Sequence, residues 1–208
     1  MFLTLEGIDR SGKTTQAGLL ADALGAGTLR LREPGGTKVG ERIRELLKDP
    51  AIELDVRAEL LLFGAARAEL CAAVIGPALE GGRDVVSDRF IDSTAAYQGA
   101  ARGLGIDAVE RLNELAIGDC VPDLTLLLRV DPAEAEVRGQ QRLLAGESDG
   151  SDRFEAEGIS FQREVARAYD EIAAGNSERI VVVDAAGSIE AVHARVMEAV
   201  DARRAARR

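Results

Sequence analysis

The sequence predicts an α/β fold in which a five-stranded parallel sheet carries helices on both faces. Three observations lead there. Five short β-rich runs are separated by longer segments of helical period. The last two of these runs are almost continuously apolar, as in strands covered on both faces. A glycine-rich turn leads from the first run directly into the first helical segment, and strand–helix alternation of this kind builds parallel sheets.

The runs, in order, are MFLTLE (1–6), TLRLRE (28–33), DVVSD (84–88), LTLLLRV (124–130) and RIVVVDA (179–185). Helical period fills 14–24, 39–48, 56–79, 107–117 and 132–143. Two further segments, 160–174 and 188–203, each open on a serine, Ser160 and Ser188, suited to N-capping. No internal repeat or interdomain linker interrupts the order, so residues 1–208 read as a single domain. The polar stretch LLAGESDGSDRFEAEG (143–158) is long for a connection inside a compact domain. With the end of the preceding helix it reads as a lid covering about residues 138–158.

Composition narrows the class. Hydrophobic residues make up 46% and charged residues 30%, the balance of a soluble globular chain. Aromatics are only 3%, so the core must be built from Leu, Val, Ile and Ala. Cys71 and Cys120 are far apart and form no CxxC, which argues against a zinc site or a disulfide scaffold and fits a reducing cytoplasm. No secretory signal and no apolar stretch of membrane-spanning length is visible, so no membrane partner is expected. A net charge of −10 argues against a nucleic-acid surface, and the terminal ARRAARR reads as a solvated helix end. Of 26 basic residues only Lys13, Lys38 and Lys48 are lysine. One of the three stands where a phosphate loop needs a compact point charge.

That position lies in GIDRSGKTT. Gly7, Ile8, Asp9, Arg10, Ser11, Gly12, Lys13 and Thr14 match GxxxxGK[ST] in full, with Thr15 following. Background frequencies put a chance match at on the order of one per cent, and the match sits between a predicted strand and a predicted helix. Gly7 and Gly12 let backbone N–H groups approach phosphate oxygens. The helix contributes its positive end, Lys13 a mobile charge, and the Thr14 hydroxyl a ligand for Mg²⁺. The fold therefore reads as a P-loop NTPase fold. The absence of an NKxD-type guanine motif weakens a GTPase reading, whereas a chain of this size with a lid suits a small-molecule kinase.

Four further motifs follow: REPGGT (32–37), LLFGAAR (61–67), SDRF (87–90) and STAAYQG (93–99). In this order after GIDRSGKTT, and with PDLTLLLRVDP (122–132), DRFE (152–155) and DAAGSIEAV (184–192), the chain closely resembles the thymidylate kinases over essentially its whole length. The resemblance implies transfer of the ATP γ-phosphoryl group to thymidine monophosphate (dTMP), with Mg²⁺, in a homodimer. It places Phe63 on the thymine ring and gives Arg67 a hydrogen bond to the base. Arg89 falls on the acceptor phosphate, Asp9 near the acceptor's sugar and phosphate, and Tyr97 beside the sugar. Asp88 becomes an organiser of the Mg²⁺ water shell. Taken singly, Phe63 fits a core position, Arg67 an ion pair and Tyr97 a packing residue; the set reads as a pocket.

The pattern also departs from the family. Some thymidylate kinases carry an arginine in the phosphate loop and others carry arginines in the lid; here Arg10 is joined by Arg138, Arg142 and Arg153. We expect Arg10 to be catalytic together with Lys13 and Asp9, and Arg153 to assist from the lid. For Arg138 and Arg142, ion pairing along the helix with Glu134 and Glu136 is the competing reading. Arg129 stands where many relatives are acidic, and either compensation by Asp131 or a contact to the nucleotide would account for it. His193 reads as a surface or packing residue away from the motifs. Two other functional readings stay open at this point: a P-loop kinase for another acceptor, and a nucleotide-binding switch without turnover.

Overall fold

The structure is a computed structural model that describes residues 1–146 and 157–207. Among these residues five strands form one all-parallel sheet in the order β2-β3-β1-β4-β5. They are β1 (Phe2–Glu6), β2 (Leu29–Arg32), β3 (Val85–Asp88), β4 (Leu124–Arg129) and β5 (Ile180–Asp184). β1 is central and buried along its whole length, and β4 is buried up to its last residue. β5 is an edge strand, so its apolar run is only partly covered and Val182 stays exposed. That corrects the expectation of burial on both faces for the last run, because an edge position leaves one flank open.

The helices are α1 (Lys13–Leu24), α2 (Lys38–Lys48), α3 (Val56–Leu70), α4 (Gly76–Glu80), α5 (Ile91–Thr94), α6 (Ile106–Ile117), α7 (Pro132–Leu144), α8 (Ile159–Gly175) and α9 (Ile189–Ala206). The sequence reading drew 56–79 as one helix. The chain does stay helical there, but π-helical turns at Cys71–Ile75 separate α3 from α4. A second π-helical stretch, Ala95–Ala101, continues α5, and STAAYQG, to which periodicity assigns no element, spans the end of α5 and the start of this stretch. Ser188 caps α9 as expected, its side chain accepting from Ala191 N. Ser160 does not cap α8: the helix starts one residue earlier, and extended Gly158 takes the N-cap position.

Two apolar clusters hold the layers together. The larger joins β1 and β4 to α1, α8 and α9 through residues such as Leu5, Leu126, Leu20, Val165 and Val196. The smaller gathers Phe2, Leu70, Ile75, Phe90 and Ile117 around the start of β1 and β3. With so few aromatics, aliphatic side chains fill most of this volume, as composition required.

One buried carboxylate ties the sheet to its covering helices. Glu6, at the end of β1, accepts from Phe90 N (2.7 Å), Ser93 N (3.2 Å), Ser93 Oγ (2.5 Å) and Tyr169 Oη (2.9 Å). Burial, reinforced by the nearby charge of Asp92, pushes its carboxyl up to about 7. Asp92 is itself held by a two-pronged ion pair with Arg179, both bonds at 2.7 Å. The carboxyl ends of β1 and β3 are thereby fixed against α5 and α8, and the site is built on those ends.

Candidate active site

The loop between β1 and α1 is locked by sterics. Gly7 has φ 142°, and a Cβ there would lie 2.6 Å from Leu128 O and 2.9 Å from Ser11 Oγ. Gly12, at φ 98°, precedes α1 as an N-cap that supplies no side-chain hydrogen bond. The first-turn N–H groups of α1 thus have no side-chain acceptor at their cap, and no acidic residue occupies that turn. Arg10 adopts φ 64°, a left-handed conformation that costs a non-glycine residue about 1–2 kcal/mol. Arg89, at φ 72°, is the other non-glycine residue so placed among those described.

Parallel pairing of β1 with β3 sets Leu5 beside Asp88 and brings the loops after the two strands into contact. Thr14 Oγ1 donates to Asp88 Oδ2 at 2.5 Å. Arg89 pairs with Asp9, donates to Ser93 Oγ (3.1 Å), and lies over the Tyr97 ring with its guanidinium carbon 5.0 Å from the centroid. Gln162, from α8, holds Asp9 from the other side through its amide nitrogen at 2.8 Å. Lys13 Nζ donates to Ile8 O at 2.7 Å.

Asp9, Lys13, Thr14, Asp88, Arg89, Ser93 and Tyr97 line one cleft of about 1130 Å³. Of the residues given a catalytic, nucleotide-binding or metal-binding role from sequence, all but Gly7, Ile8 and Arg153 line it. Gly7 and Ile8 act through the backbone, as acceptors for Arg89 and Lys13, while the Ile8 side chain is in the core. Arg153 and the lid residues 147–156 lie outside the described residues. Phe63 and Arg67 face the cleft from one side of α3, as their four-residue spacing requires.

The family model for thymidylate kinase matches residues 5–196. The chain belongs to the thymidylate kinase family. It is 46% identical over 199 residues to the thymidylate kinase of Syntrophotalea carbinolica, covering 94% of this chain and 92% of that one. It is 44% identical over 208 residues to that of Chlorobaculum tepidum, covering 97% of both. A crystal structure of thymidylate kinase from Ehrlichia chaffeensis superposes with a TM-score of 0.77 at 36% identity, over 97% of this chain and 98% of the other.

The cleft shifts the charge of the groups that line it. Burial, with the adjacent Arg89 charge, pulls the Lys13 ammonium down to about 8, against the opposing pull of Asp88, Asp9 and Glu6. Burial pushes the Asp9 carboxyl up, but Arg89, Lys13 and Gln162 together outweigh it and hold the group below its ordinary value.

Several site residues have no signal in local spacing. Glu33 is the clearest. Arg67, only 1% exposed, donates to Glu33 Oε2 from Nε (2.9 Å) and Nη2 (2.6 Å). Its remaining N–H groups reach Phe90 O (3.0 Å), Thr94 Oγ1 (2.9 Å) and Asn113 Oδ1 (2.7 Å). A guanidinium has five N–H donors, so the base contact expected of Arg67 requires a shared, three-centre bond. Its main work in the structure is to lock the acceptor side of the cleft. The other Glu33 oxygen is buried without a partner among the described residues, and burial pushes this carboxyl up against the pull of Arg67.

Of the basic residues that depart from the pattern, Arg138 and Arg129 have defined partners, while the Arg142 side chain and Arg153 lie outside what the structure describes. Arg138 forms the helical ion pair with Glu134 (2.6 Å) and donates to Ala185 O (2.8 Å). Arg129 pairs with Asp170 at 2.6 Å across to α8, while Asp131 caps α7; neither earlier reading of Arg129 included that partner. His193 stands beside Gln16 of α1 at 3.2 Å, nearer the phosphate loop than its sequence position suggested.

Arg67→Ala leaves Glu33 buried and unpaired, and is expected to cost about 3–5 kcal/mol of unfolding free energy. Urea titration measures it, and a loss below about 1 kcal/mol, the range of a surface pair, would contradict the structural role.

Proposed function

We infer that this chain is a dTMP kinase: it transfers the γ-phosphoryl group of ATP to dTMP, giving dTDP and ADP. The observation that carries the reading is the meeting of a phosphate loop with an acceptor-side arginine. Lys13 and the α1 N-terminus line the same cleft as Arg89 and Phe63, and Asp9 interacts with both Lys13 and Arg89.

In this reading ATP lies along the loop, its phosphates against the backbone N–H groups of residues 7–15, with the Lys13 ammonium on the outer ones. Phe63 stacks on thymine and Tyr97 borders the sugar, where its bulk disfavours a 2′-hydroxyl. Arg89, held in orientation by Asp9, Ser93 and Tyr97, takes the acceptor phosphate. An acceptor phosphate oxygen attacks the γ-phosphorus; its P–O bond forms as the bond to the ADP oxygen breaks. Little covalent help is required, so alignment and positive charge do the catalysis. Arg10 supplies charge from the loop, and the lid arginine Arg153 is proposed on its DRFE motif alone.

The donor set fits Mg²⁺. Thr14 Oγ1 and Asp88 Oδ2 are hard oxygen donors beside the loop, and Mg²⁺ is commonly bound by one or two such groups together with phosphates and water. When bound, the ion neutralises charge on the transferred phosphoryl group.

We place the enzyme in the cytoplasm. We also propose a homodimer through α3 and α6, the two helices on which Leu61 and Leu115 are exposed. No helix among the described residues is long and apolar enough to cross a membrane.

ADP production from ATP and Mg²⁺ is expected with dTMP, weakly or not at all with AMP or unphosphorylated thymidine, and to vanish in Lys13→Ala. Turnover with another acceptor instead would overturn the pocket assignment. Arg10→Ala is expected to lower kcat by about 10³-fold or more; activity equal to the wild type would remove Arg10 from the mechanism.

The Lys13 value gives a pH signature. Phosphates raise the ammonium's pKa in the complex above its free value near 8, so ATP affinity is full below pH 8 and declines above it. Calorimetry in buffers of different ionisation enthalpy should show proton uptake on ATP binding at pH 8.5 and none at pH 7 attributable to this group. Uptake that persists unchanged in Lys13→Arg would assign the proton elsewhere.

A further inference from the structure

Gly139 sits in the interior of α7, where glycine weakens a helix relative to alanine. The residue is not needed for a positive φ or a turn. Its neighbour explains it. A Cβ on Gly139 would lie 2.7 Å from Cζ of Arg10 and closer still to Arg10 Cδ and Nε. The Arg10 side chain therefore rests on the bare backbone of α7, in the space that any other residue's side chain would occupy.

Both sides of this contact are held. On one side, Arg10 springs from the loop that Gly7 locks against Leu128 O, and has itself a left-handed backbone. On the other, Arg138 anchors α7 one residue away, through Glu134 within the helix and Ala185 O beyond β5. When a methyl group is added at 139, the flexible end of Arg10 is the part that yields.

We propose that Gly139 is a positioning residue for the reaction: its missing side chain is the seat that fixes where the Arg10 guanidinium stands in the cleft. This rests on the reading of Arg10 as a catalytic cation. Gly139 touches neither substrate in this assignment and acts only through Arg10.

Gly139→Ala, Arg10→Ala and the double variant test it, with steady-state kinetics and thermal unfolding on each. Gly139→Ala is expected to hold its unfolding midpoint or raise it by about 2–4 °C, since alanine suits a helix better. Its kcat is expected to fall about tenfold to a hundredfold, the scale of a misplaced catalytic group, with both KM values little changed. In the Arg10→Ala background the same substitution is expected to change kcat by less than about twofold, because the group it displaces is gone.

A Gly139→Ala enzyme at full rate beside a crippled Arg10→Ala overturns the seat alone. An equal further loss in the Arg10→Ala background overturns it too, by showing action through another group. A lowered unfolding midpoint shows that α7, not Arg10, gives way, and also overturns it. Full activity of Arg10→Ala removes both the catalytic role of Arg10 and the seat built on it. Failure of the wild type to phosphorylate dTMP is a separate result that bears on the substrate.

Discussion

Parallel pairing of β1 with β3 is the constraint on which the rest of the site depends. It sets Leu5 against Asp88, so the chain leaves both strands at the same, carboxyl end of the sheet. Two short links follow from that proximity, Thr14 with Asp88 and Asp9 with Arg89. One residue of each pair comes from the phosphate loop or its helix and the other from SDRF. Ligands gather at the carboxyl ends of parallel strands because loops from neighbouring strands converge there. Here the convergence brings a donor-side loop and an acceptor-side arginine to one place.

Charge is then concentrated locally in a protein that is acidic overall. The net charge is −10, yet Lys13, Arg10, Arg67 and Arg89 all border the same cleft. Confining these cations has a cost, visible in the lowered Lys13 ammonium and in the left-handed backbones of Arg10 and Arg89. The cost is met by specific partners: Glu33 for Arg67, Asp9 and Tyr97 for Arg89. Each partner also orients the cation it neutralises, which is what transfer between two anionic substrates demands. The buried Glu6 network beneath the site keeps this frame rigid by joining β1 to α5 and α8.

Much of this was legible in the sequence, for physical reasons that differ by element. The strands announced themselves because buried β-runs are apolar and short, and the phosphate loop because few residue combinations satisfy its backbone geometry. Phe63 and Arg67 could be paired because helical spacing is local. Long-range partners were not legible. Glu33 and Arg67 are 34 residues apart, and Asp9 and Gln162 are 153 apart, with no spacing rule to join them. The π-helical turns at Cys71–Ile75 and Ala95–Ala101 were missed because apolar periodicity does not separate one helical form from another; Gly76-Pro77, directly after the first, is its one local sign. Burial of β5 was overestimated because an apolar run does not say which strand lies at the edge.

The central claim is that one cleft holds both nucleotides at once, end to end. Calorimetric binding of a compound in which adenosine and thymidine are joined 5′ to 5′ through a polyphosphate chain tests it most directly. The account predicts one molecule per chain, competition with both ATP and dTMP, and an affinity above that of either nucleotide, since linkage makes the second contact intramolecular. Competition with ATP alone, at an affinity no better than ATP's, would contradict it.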